Sequence, residues 1–254
     1  MAIIQLKNVS VYFDAHEVVR AISLDVQAGE SVVLIGPSGQ GKTTILKSMA
    51  GLISPQKGEV VVAQTNLLTS GVKDREALMK RMGMLFQKNA LFDSFTCGEN
   101  IAFPLRQTTS LSEQEIAEKV DFFLDAVGIA HAKELFPDEI SGGMQKRLGI
   151  ARALALDPEI VFYDDPTAGL DPITSKKIIE LIMELKRKRN STIVAITNDM
   201  NRAYQLADTI YLVVNGELIK TGTPEETKRH TDPRVHQFVR GLTQGPLSTV
   251  GSEL

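Results

Sequence analysis

The sequence predicts an α/β fold in which a largely parallel sheet forms the core and a mostly helical segment is inserted between two of its strands. The runs at residues 31–36, 159–164 and 192–197 are short, rich in β-branched residues and apolar on both faces, which is typical of buried parallel strands. Helix-like segments alternate with strand-like ones along the chain, as in proteins whose parallel strands are joined by helical crossovers. We therefore expect these three runs to be central strands.

The inserted helical segment is expected at about residues 88–157. Within it, Ser112 and Glu115 form a capping box at the start of a predicted helix, and Gly128 supplies a stop signal. The apolar residues of this helix recur at helical spacing. They are Ile116, Val120, Phe123, Leu124 and Val127.

Composition favours a folded protein that neither binds nucleic acid nor crosses a membrane. Of 254 residues, 43% are hydrophobic and 23% charged, and the net charge of -3 gives no excess of positive charge for a polyanion. The single Cys97 cannot form an internal disulfide, and the N-terminus lacks the pattern of a secretory signal. We therefore expect a cytoplasmic protein with one domain over residues 1–242. The tail, residues 243–254, is expected to be disordered or to dock on a partner.

A phosphate-binding loop is predicted directly after the first strand. The segment GPSGQGKTT fits the pattern G-x-x-x-x-G-K-[ST] in the required order of strand, loop and helix. Glycines let the main-chain amides approach a phosphate group, and the N-terminus of the following helix adds a favourable dipole. The lysine of such a loop reaches the β- and γ-phosphates, and the hydroxyl after it binds Mg²⁺. The candidate residues are Gly36, Pro37, Ser38, Gly39, Gln40, Gly41, Lys42, Thr43 and Thr44.

A pair of carboxylates, Asp164 and Asp165, ends the second apolar strand. An acidic residue that closes a buried strand well downstream of a phosphate loop is placed as the carboxylate that holds Mg²⁺ through water, which is the role expected of Asp164. These two motifs alone do not distinguish between kinases, GTPases and motor ATPases, so all three classes of protein stay open.

The segment from 140 to 172 narrows the choice, because it resembles the signature region of the ATP-binding cassette family, the nucleotide-binding subunits of ABC transporters. Ser141, Gly142, Gly143 and Met144 lie where that family has its Leu-Ser-Gly-Gly-Gln turn, and they open a predicted helix whose N-terminus suits an anion. The resemblance implies a P-loop NTPase fold with a RecA-like core, an N-terminal antiparallel part and a helical subdomain. It also implies that ATP is held between two copies of the cassette.

Other functional positions follow from the resemblance. Gln87 matches the family's Q-loop glutamine, which touches Mg²⁺ and reports the nucleotide state to the transmembrane partner. Phe13 matches the aromatic ring that stacks on adenine, with Tyr12 as the competing candidate and core packing as a third reading. Asp171 matches the aspartate that crosses the dimer interface.

Two catalytic positions depart from the family's pattern. The general base that follows the Mg²⁺ aspartate is usually glutamate and here is Asp165, shorter by one methylene. The switch histidine is replaced by Asn198, which can donate a hydrogen bond but cannot carry a proton. A base must lie within about 2.6–3.2 Å of its proton or act through one water, and the shorter Asp165 has less reach. Two interpretations therefore stay open: an ATPase that hydrolyses quickly, or a slow, ATP-gated clamp.

The stretches 85–106, 140–147 and 232–246 look like the ATPase subunits of bacterial Mla and Mce-associated phospholipid transport systems. That resemblance implies a transmembrane permease, a second cassette, a small regulatory subunit and a periplasmic lipid-binding subunit, with the protein peripheral on the inner membrane. A soluble cassette without a permease is the remaining alternative. One apolar stripe near the C-terminus packs on its own domain or on a neighbouring subunit. Its residues are Val235, Phe238, Val239 and Leu242.

Overall fold

A computed structural model of the chain describes residues 2–248. Residues 2–75 and 192–248 form one compact unit, and residues 76–191 form a second. The fold is α/β, as predicted, and both units contain parallel strand pairs. No helix among the described residues is long and apolar enough to span a bilayer.

An antiparallel sheet occupies the N-terminal part of the first unit, with the strand order β2-β1-β4-β5. Its strands are β1 (Ala2–Phe13), β2 (His16–Gln27), β4 (Lys57–Val62) and β5 (Thr65–Asn66). In the register of the sheet, Leu6 of β1 lies opposite Leu24 on one side and Val60 on the other. All three side chains are buried.

The parallel part of the first unit is centred on β3 (Ser31–Ile35), which lies between β8 (Thr192–Ile196) and β9 (Thr209–Val214). The antiparallel strand β10 (Glu217–Gly222) pairs with β9. Every residue of β3 and β8 is buried, which confirms the strands expected at 31–36 and 192–197. Their continuous apolar sequence follows from having both faces covered.

Five helices of the described chain, each of eight residues or fewer, lie in the first unit, except that α2 ends in the second. They are α1 (Lys42–Met49), α2 (Val72–Met79), α7 (Met200–Leu206), α8 (Pro224–Lys228) and α9 (Pro233–Arg240).

The C-terminal stripe lies on and just beyond α9. Val235 is buried, Phe238 and Val239 are half-buried, and Leu242 is 48% exposed. The stripe is therefore only partly covered within the described chain. The predicted tail is described as far as residue 248, and its residues 249–254 lie outside the described part.

The segment after α9 is held by one side chain. The Gln237 amide donates to the carbonyl of Leu242 at 3.1 Å and accepts from the main-chain N–H of Leu247 at 2.7 Å. Residues 242–247 therefore return to α9.

In the second unit, β6 (Met82–Leu85) pairs in parallel with β7 (Ile160–Asp164). The strand expected at 159–164 is thus confirmed, and all of β7 is buried. Between the two strands the described chain forms only helices and turns, while the boundaries 88–157 for a helical subdomain stay a prediction. The helices of this unit are α3 (Cys97–Thr108), α4 (Glu113–Ala126), α5 (Gly142–Leu154) and α6 (Pro172–Arg189), with 3-10 turns at Ala130–Ala132 and Pro137–Glu139.

The ends of α4 are where the sequence predicts them. The Ser112 hydroxyl accepts from the N–H of Glu115 at 3.3 Å, and the Glu115 carboxylate accepts from the N–H of Ser112 at 2.8 Å. Beyond the helix, Gly128 has a φ of 71°, the left-handed conformation that ends many helices. The capping box and the stop are both confirmed.

Candidate nucleotide site

The phosphate loop joins β3 to α1 through three glycines in positive-φ conformations. The φ values of Gly36, Gly39 and Gly41 are 139°, 76° and 93°, which L-residues with a Cβ rarely adopt. A Cβ on Gly36 would overlap the main-chain carbonyl of Val213, whereas a Cβ on Gly39 would have nothing within 4 Å. The loop therefore packs tightly on one side and leaves open space beside Gly39, where a bound group can approach the main chain.

Lys42 places its charge inside this loop. Its ammonium donates to the carbonyl oxygens of Gly36 at 2.7 Å and Pro37 at 2.6 Å, and the residue is only 7% exposed. Helix α1 begins at Lys42 without a side-chain cap. A cation, a helix N-terminus and permissive glycines together form an arrangement that suits a phosphate group.

The loop is anchored by its neighbours in the first unit. The Gln40 side-chain oxygen accepts from the main-chain N–H of Asn215 at 2.6 Å, in the turn between β9 and β10. On the other side, a Cβ on Gly41 would lie 2.9 Å from the carbonyl of Val18. These contacts help to fix the loop conformation.

The two candidates for adenine stacking have different surroundings. The Tyr12 hydroxyl donates to Glu17 at 2.7 Å, and the Lys57 ammonium lies 5.4 Å from the Tyr12 ring centroid. Phe13, at the end of β1, is 49% exposed. Phe13 therefore presents an open ring, whereas Tyr12 is already engaged.

Asn198 is exposed just after β8. The next residue, Asp199, caps α7 by accepting from the N–H groups of Asn201 at 2.8 Å and Arg202 at 3.2 Å. The cap fixes the main chain beside Asn198 and leaves its amide side chain at the surface.

The paired carboxylates differ in backbone conformation and burial. Asp164 is the last residue of β7 and is 6% exposed. Asp165 is half-buried and has a φ of 50°, a left-handed conformation that aspartate tolerates better than most residues. Tyr163 directly precedes the two carboxylates, and burial strongly raises its pKa. The carboxylates therefore lie at the end of a strand that runs through an apolar interior.

The signature turn forms the start of α5. The Ser141 hydroxyl accepts from the N–H of Met144 at 3.3 Å and acts as the helix cap. A Cβ on Gly142 would meet open space, and one on Gly143 would lie 3.3 Å from Thr174. Ser141 and Gly142 are exposed, so this helix N-terminus is open to a ligand.

Asp171 caps α6 by accepting from the N–H groups of Ile173 at 2.9 Å and Thr174 at 3.0 Å. Hydrogen bonding to Thr174 lowers the pKa of Asp171. The local role of Asp171 is therefore to start a helix, while a role at a dimer interface stays a prediction.

Comparison with known proteins identifies the family. The ABC transporter family profile matches residues 19–168. The Haemophilus influenzae intermembrane phospholipid transport system ATP-binding protein MlaF is 36% identical over 245 residues, which cover 96% of this chain and 93% of the relative. The chain belongs to the ABC transporter ATP-binding cassettes.

A second relative of this cassette is named for a different substrate. The Mycobacterium leprae probable ribonucleotide transport ATP-binding protein mkl is 37% identical over 244 residues, covering 96% of this chain and 70% of the relative.

Solved structures agree with the predicted P-loop NTPase fold. The dimeric post-hydrolysis state of the ATP-binding cassette MJ0796, bound to ADP and Pi, has a TM-score of 0.79 and 30% identity, covering 85% of this cassette and 96% of that chain. The cbiO1 protein from Clostridium perfringens, part of the ABC transporter complex cbiONQ, has a TM-score of 0.82 and 25% identity. The match covers 95% of this cassette and 94% of that chain.

The predicted site residues fall into both units of the cassette. The phosphate loop, Phe13 and Asn198 belong to the first unit, whereas Gln87, the signature turn, the carboxylate pair and Asp171 belong to the second. Within the second unit, the main-chain carbonyl of exposed Gln87 accepts from Lys146 of α5 at 2.7 Å.

Lys146 is the main site residue that the sequence reasoning missed. It is only 3% exposed, and burial lowers its pKa, while the charges of Asp165 and Asp164 act in the opposite direction. A signal existed, because Lys146 lies four residues before buried Ile150 and so shares the inward face of α5. A lysine in a helix is usually interpreted as facing solvent, and only the packing shows that Lys146 is buried.

Proposed function

We propose that this cassette binds ATP with Mg²⁺, hydrolyses it and powers phospholipid transport across the bacterial envelope. The observation that carries the proposal is the phosphate loop itself. In it, the Lys42 ammonium is held by two loop carbonyls at the uncapped N-terminus of α1. A buried cation at the N-terminus of a helix, beside permissive glycines, suits a ligand with adjacent phosphates.

The residues suit a nucleotide and its metal. Thr43, Gln87 and Asp164 offer a hydroxyl, an amide and a carboxylate, the oxygen ligands that Mg²⁺ prefers, directly or through water. When bound, the metal neutralises charge on the phosphate oxygens. The open ring of Phe13 supports its choice over Tyr12 for stacking on adenine.

Asp165 is proposed as the general base for the attacking water. It follows the buried Asp164 and is itself only half-buried, so water can reach it. Asn198 would donate a hydrogen bond to the terminal phosphate. The slow, ATP-gated clamp remains the second candidate, favoured by the shorter Asp165 and by the loss of a protonatable group at position 198.

A second copy of the cassette is the proposed partner in hydrolysis. Exposed Ser141 and Gly142 at the start of α5 support it, because a helix N-terminus facing outward can complete a phosphate site in another molecule. The related cassette with ADP and Pi was solved as a dimer. Asp171 would lie at the same interface.

Phospholipid is the proposed cargo. The MlaF relative, which is named for intermembrane phospholipid transport, is 36% identical over 245 residues that cover 96% of this chain, and this similarity supports the choice. A transmembrane permease, a small regulatory subunit and a periplasmic lipid-binding subunit complete the proposed assembly. The cassette would then be cytoplasmic and peripheral on the inner membrane.

Phosphate release by the complex with its native membrane partner tests the hydrolytic role. We expect Asp165→Ala to lower turnover by about a hundredfold or more, as loss of a general base does, while ATP binding persists. Asp165→Glu and Asn198→His report whether the family's usual residues increase the rate. If the unmodified protein is as slow as Asp165→Ala and Asp165→Glu restores turnover, the cassette is a clamp.

Reconstitution into phospholipid vesicles tests the cargo. We expect ATP-dependent movement of labelled phospholipid and no ATP-dependent uptake of labelled ribonucleotides. The opposite result would assign the cassette to ribonucleotide transport.

A further inference from the structure

Helix α5, which begins at the signature turn, holds the loop after β6 with two cations. The Lys146 ammonium donates to the carbonyl of Gln87 at 2.7 Å. One turn and a half further along, the Arg152 guanidinium donates to the carbonyls of Ala90 at 2.6 Å and Asn89 at 3.3 Å. One helix therefore binds three of four consecutive carbonyls in this loop.

The loop conformation is one that its own sequence does not favour. Asn89 and Ala90 have φ values of 60° and 52°, and alanine rarely adopts the left-handed region. The buried side-chain oxygen of Asn89 has no hydrogen-bond partner among the described residues. Contacts from outside the loop are therefore needed to hold it, and α5 supplies them.

Helix α5 also packs closely on the end of β6 and touches the loop that follows it. A Cβ on Gly149 would lie 2.6 Å from a methyl group of Leu85 and 3.5 Å from the Cβ of Asn89. Glycine is thus required for the close approach. The signature helix and the main chain around Gln87 form one packed block.

Lys146 is a nearly buried cation in this block and is 3% exposed. Its single hydrogen bond uses one of the three donors of an ammonium group. The charges of Asp165 and Asp164 are the two that act on it. A nearly buried cation thus holds the loop of a proposed metal ligand, and the charge of the proposed base acts on this cation.

We propose that Lys146 is a positioning residue for hydrolysis, which holds the main chain of Gln87 and balances the charge of Asp165 from within the signature helix. This role rests on the proposed ATPase function. Removing the ammonium leaves the Gln87 carbonyl without this donor and takes away a nearly buried positive charge that interacts with the two carboxylates. A displacement of about 1 Å at a reacting group can cost about a hundredfold in rate.

The test compares three substitutions in the complex with its membrane partner. Lys146→Met keeps the shape of the stem, Lys146→Gln keeps a donor without the charge, and Lys146→Arg keeps both donor and charge. Lys119→Met is the matched control, because Lys119 is a partly buried lysine of the same unit that pairs with Asp157 at 2.6 Å. Rates are divided by the number of sites that bind a non-hydrolysable ATP analogue, so misfolded protein does not count.

We expect kcat to fall at least tenfold in Lys146→Met and Lys146→Gln, with KM for ATP within about twofold of the unmodified value. The Mg²⁺ concentration for half-maximal rate should rise in both, because Gln87 is a proposed metal ligand. Lys146→Arg should retain most of the rate. Lys119→Met should leave kcat and the Mg²⁺ requirement unchanged.

A purely packing role predicts the reverse order, with Lys146→Met more active than the bulkier Lys146→Arg. That order, or an unchanged kcat in Lys146→Met, overturns the role of Lys146 and leaves the ATPase function intact. No turnover by the unmodified complex overturns both.

Discussion

Asn100 and Phe92 form a reciprocal hydrogen-bond pair in which the Asn100 side-chain oxygen accepts from the Phe92 N–H at 2.9 Å and its amide donates to the Phe92 carbonyl at 3.1 Å. The same amide also donates to the carbonyls of Phe95 at 3.1 Å and Thr96 at 3.0 Å. Asn100 is fully buried. One side chain on α3 therefore organises the loop that precedes this helix.

An aromatic cluster depends on that loop. Phe92 lies 5.1 Å from Phe95 and 4.9 Å from Phe103 between ring centroids, and Arg152 lies 5.5 Å from the Phe92 ring. Phe92 is 41% exposed. The loop thus presents an aromatic surface whose shape Asn100 determines.

Asn100→Ala is expected to lower the free energy of unfolding by about 2–4 kcal/mol, because it removes a buried side chain and leaves several partly buried main-chain groups without their hydrogen-bond partner. Urea unfolding followed by circular dichroism measures the loss. Gln114→Ala is the control, since the Gln114 amide makes one exposed hydrogen bond to Glu118 at 3.2 Å, and it should change stability by less than about 0.5 kcal/mol. Equal effects of the two substitutions would contradict the role of Asn100.

Lys42→Met is expected to lower ATP turnover by about a hundredfold, the scale of losing one donor aimed at developing charge. Binding of a non-hydrolysable ATP analogue should weaken as well, because the loop loses its cation. Phosphate release and analogue titration measure the two effects. Lys47→Met, in the last turn of the same helix, should change neither, and a similar loss in that variant would point to damage to α1 instead.

Gly36→Ala and Gly39→Ala should differ in their effects on stability. Both glycines have positive φ, so each alanine is strained by about 1 kcal/mol. Only Gly36 also lacks space, since its Cβ would overlap the Val213 carbonyl. We expect thermal unfolding to show a clearly larger loss for Gly36→Ala, and equal melting temperatures would show that the loop relaxes around the added methyl group.

Asp232→Asn tests a pH-dependent contact at the start of α9. Hydrogen bonding to Arg234, at 2.8 Å between Oδ2 and Nη2, lowers the pKa of Asp232 from 3.8 to about 2. Because the folded-state pKa lies below the unfolded value, this contact stabilises the protein fully above pH 3.8, and its contribution is lost as the pH falls towards about 2.

The melting temperature of Asp232→Asn should therefore be lower than that of the unmodified protein near neutral pH. The difference should shrink as the pH is lowered through this window. Asparagine can still accept the cap hydrogen bond from the Arg234 N–H, so a difference that stays constant with pH would mean that the charge of Asp232 is not its cause.

Several elements could be read directly from the chain. The strands β3, β7 and β8, the capped start of α4 at Ser112 and its stop at Gly128 were predicted and are present. The apolar stripe of the C-terminal region was also recognised, but its covering was not. Val235 on α9 is buried while Leu242, just beyond the helix, is exposed, and this difference depends on the side chains that each position contacts.

By itself, the sequence determined the buried strands, the helix caps, the phosphate loop and the family, because each is encoded by residues that are close together in the chain. Only the tertiary structure decided that Lys146 binds the carbonyl of Gln87, 59 residues away. It alone revealed that Asn100 organises its loop and that Tyr12 is engaged while Phe13 is open. The physical reason is that periodicity and capping are local, whereas the partner of a buried polar group is set by which distant segments the core brings together.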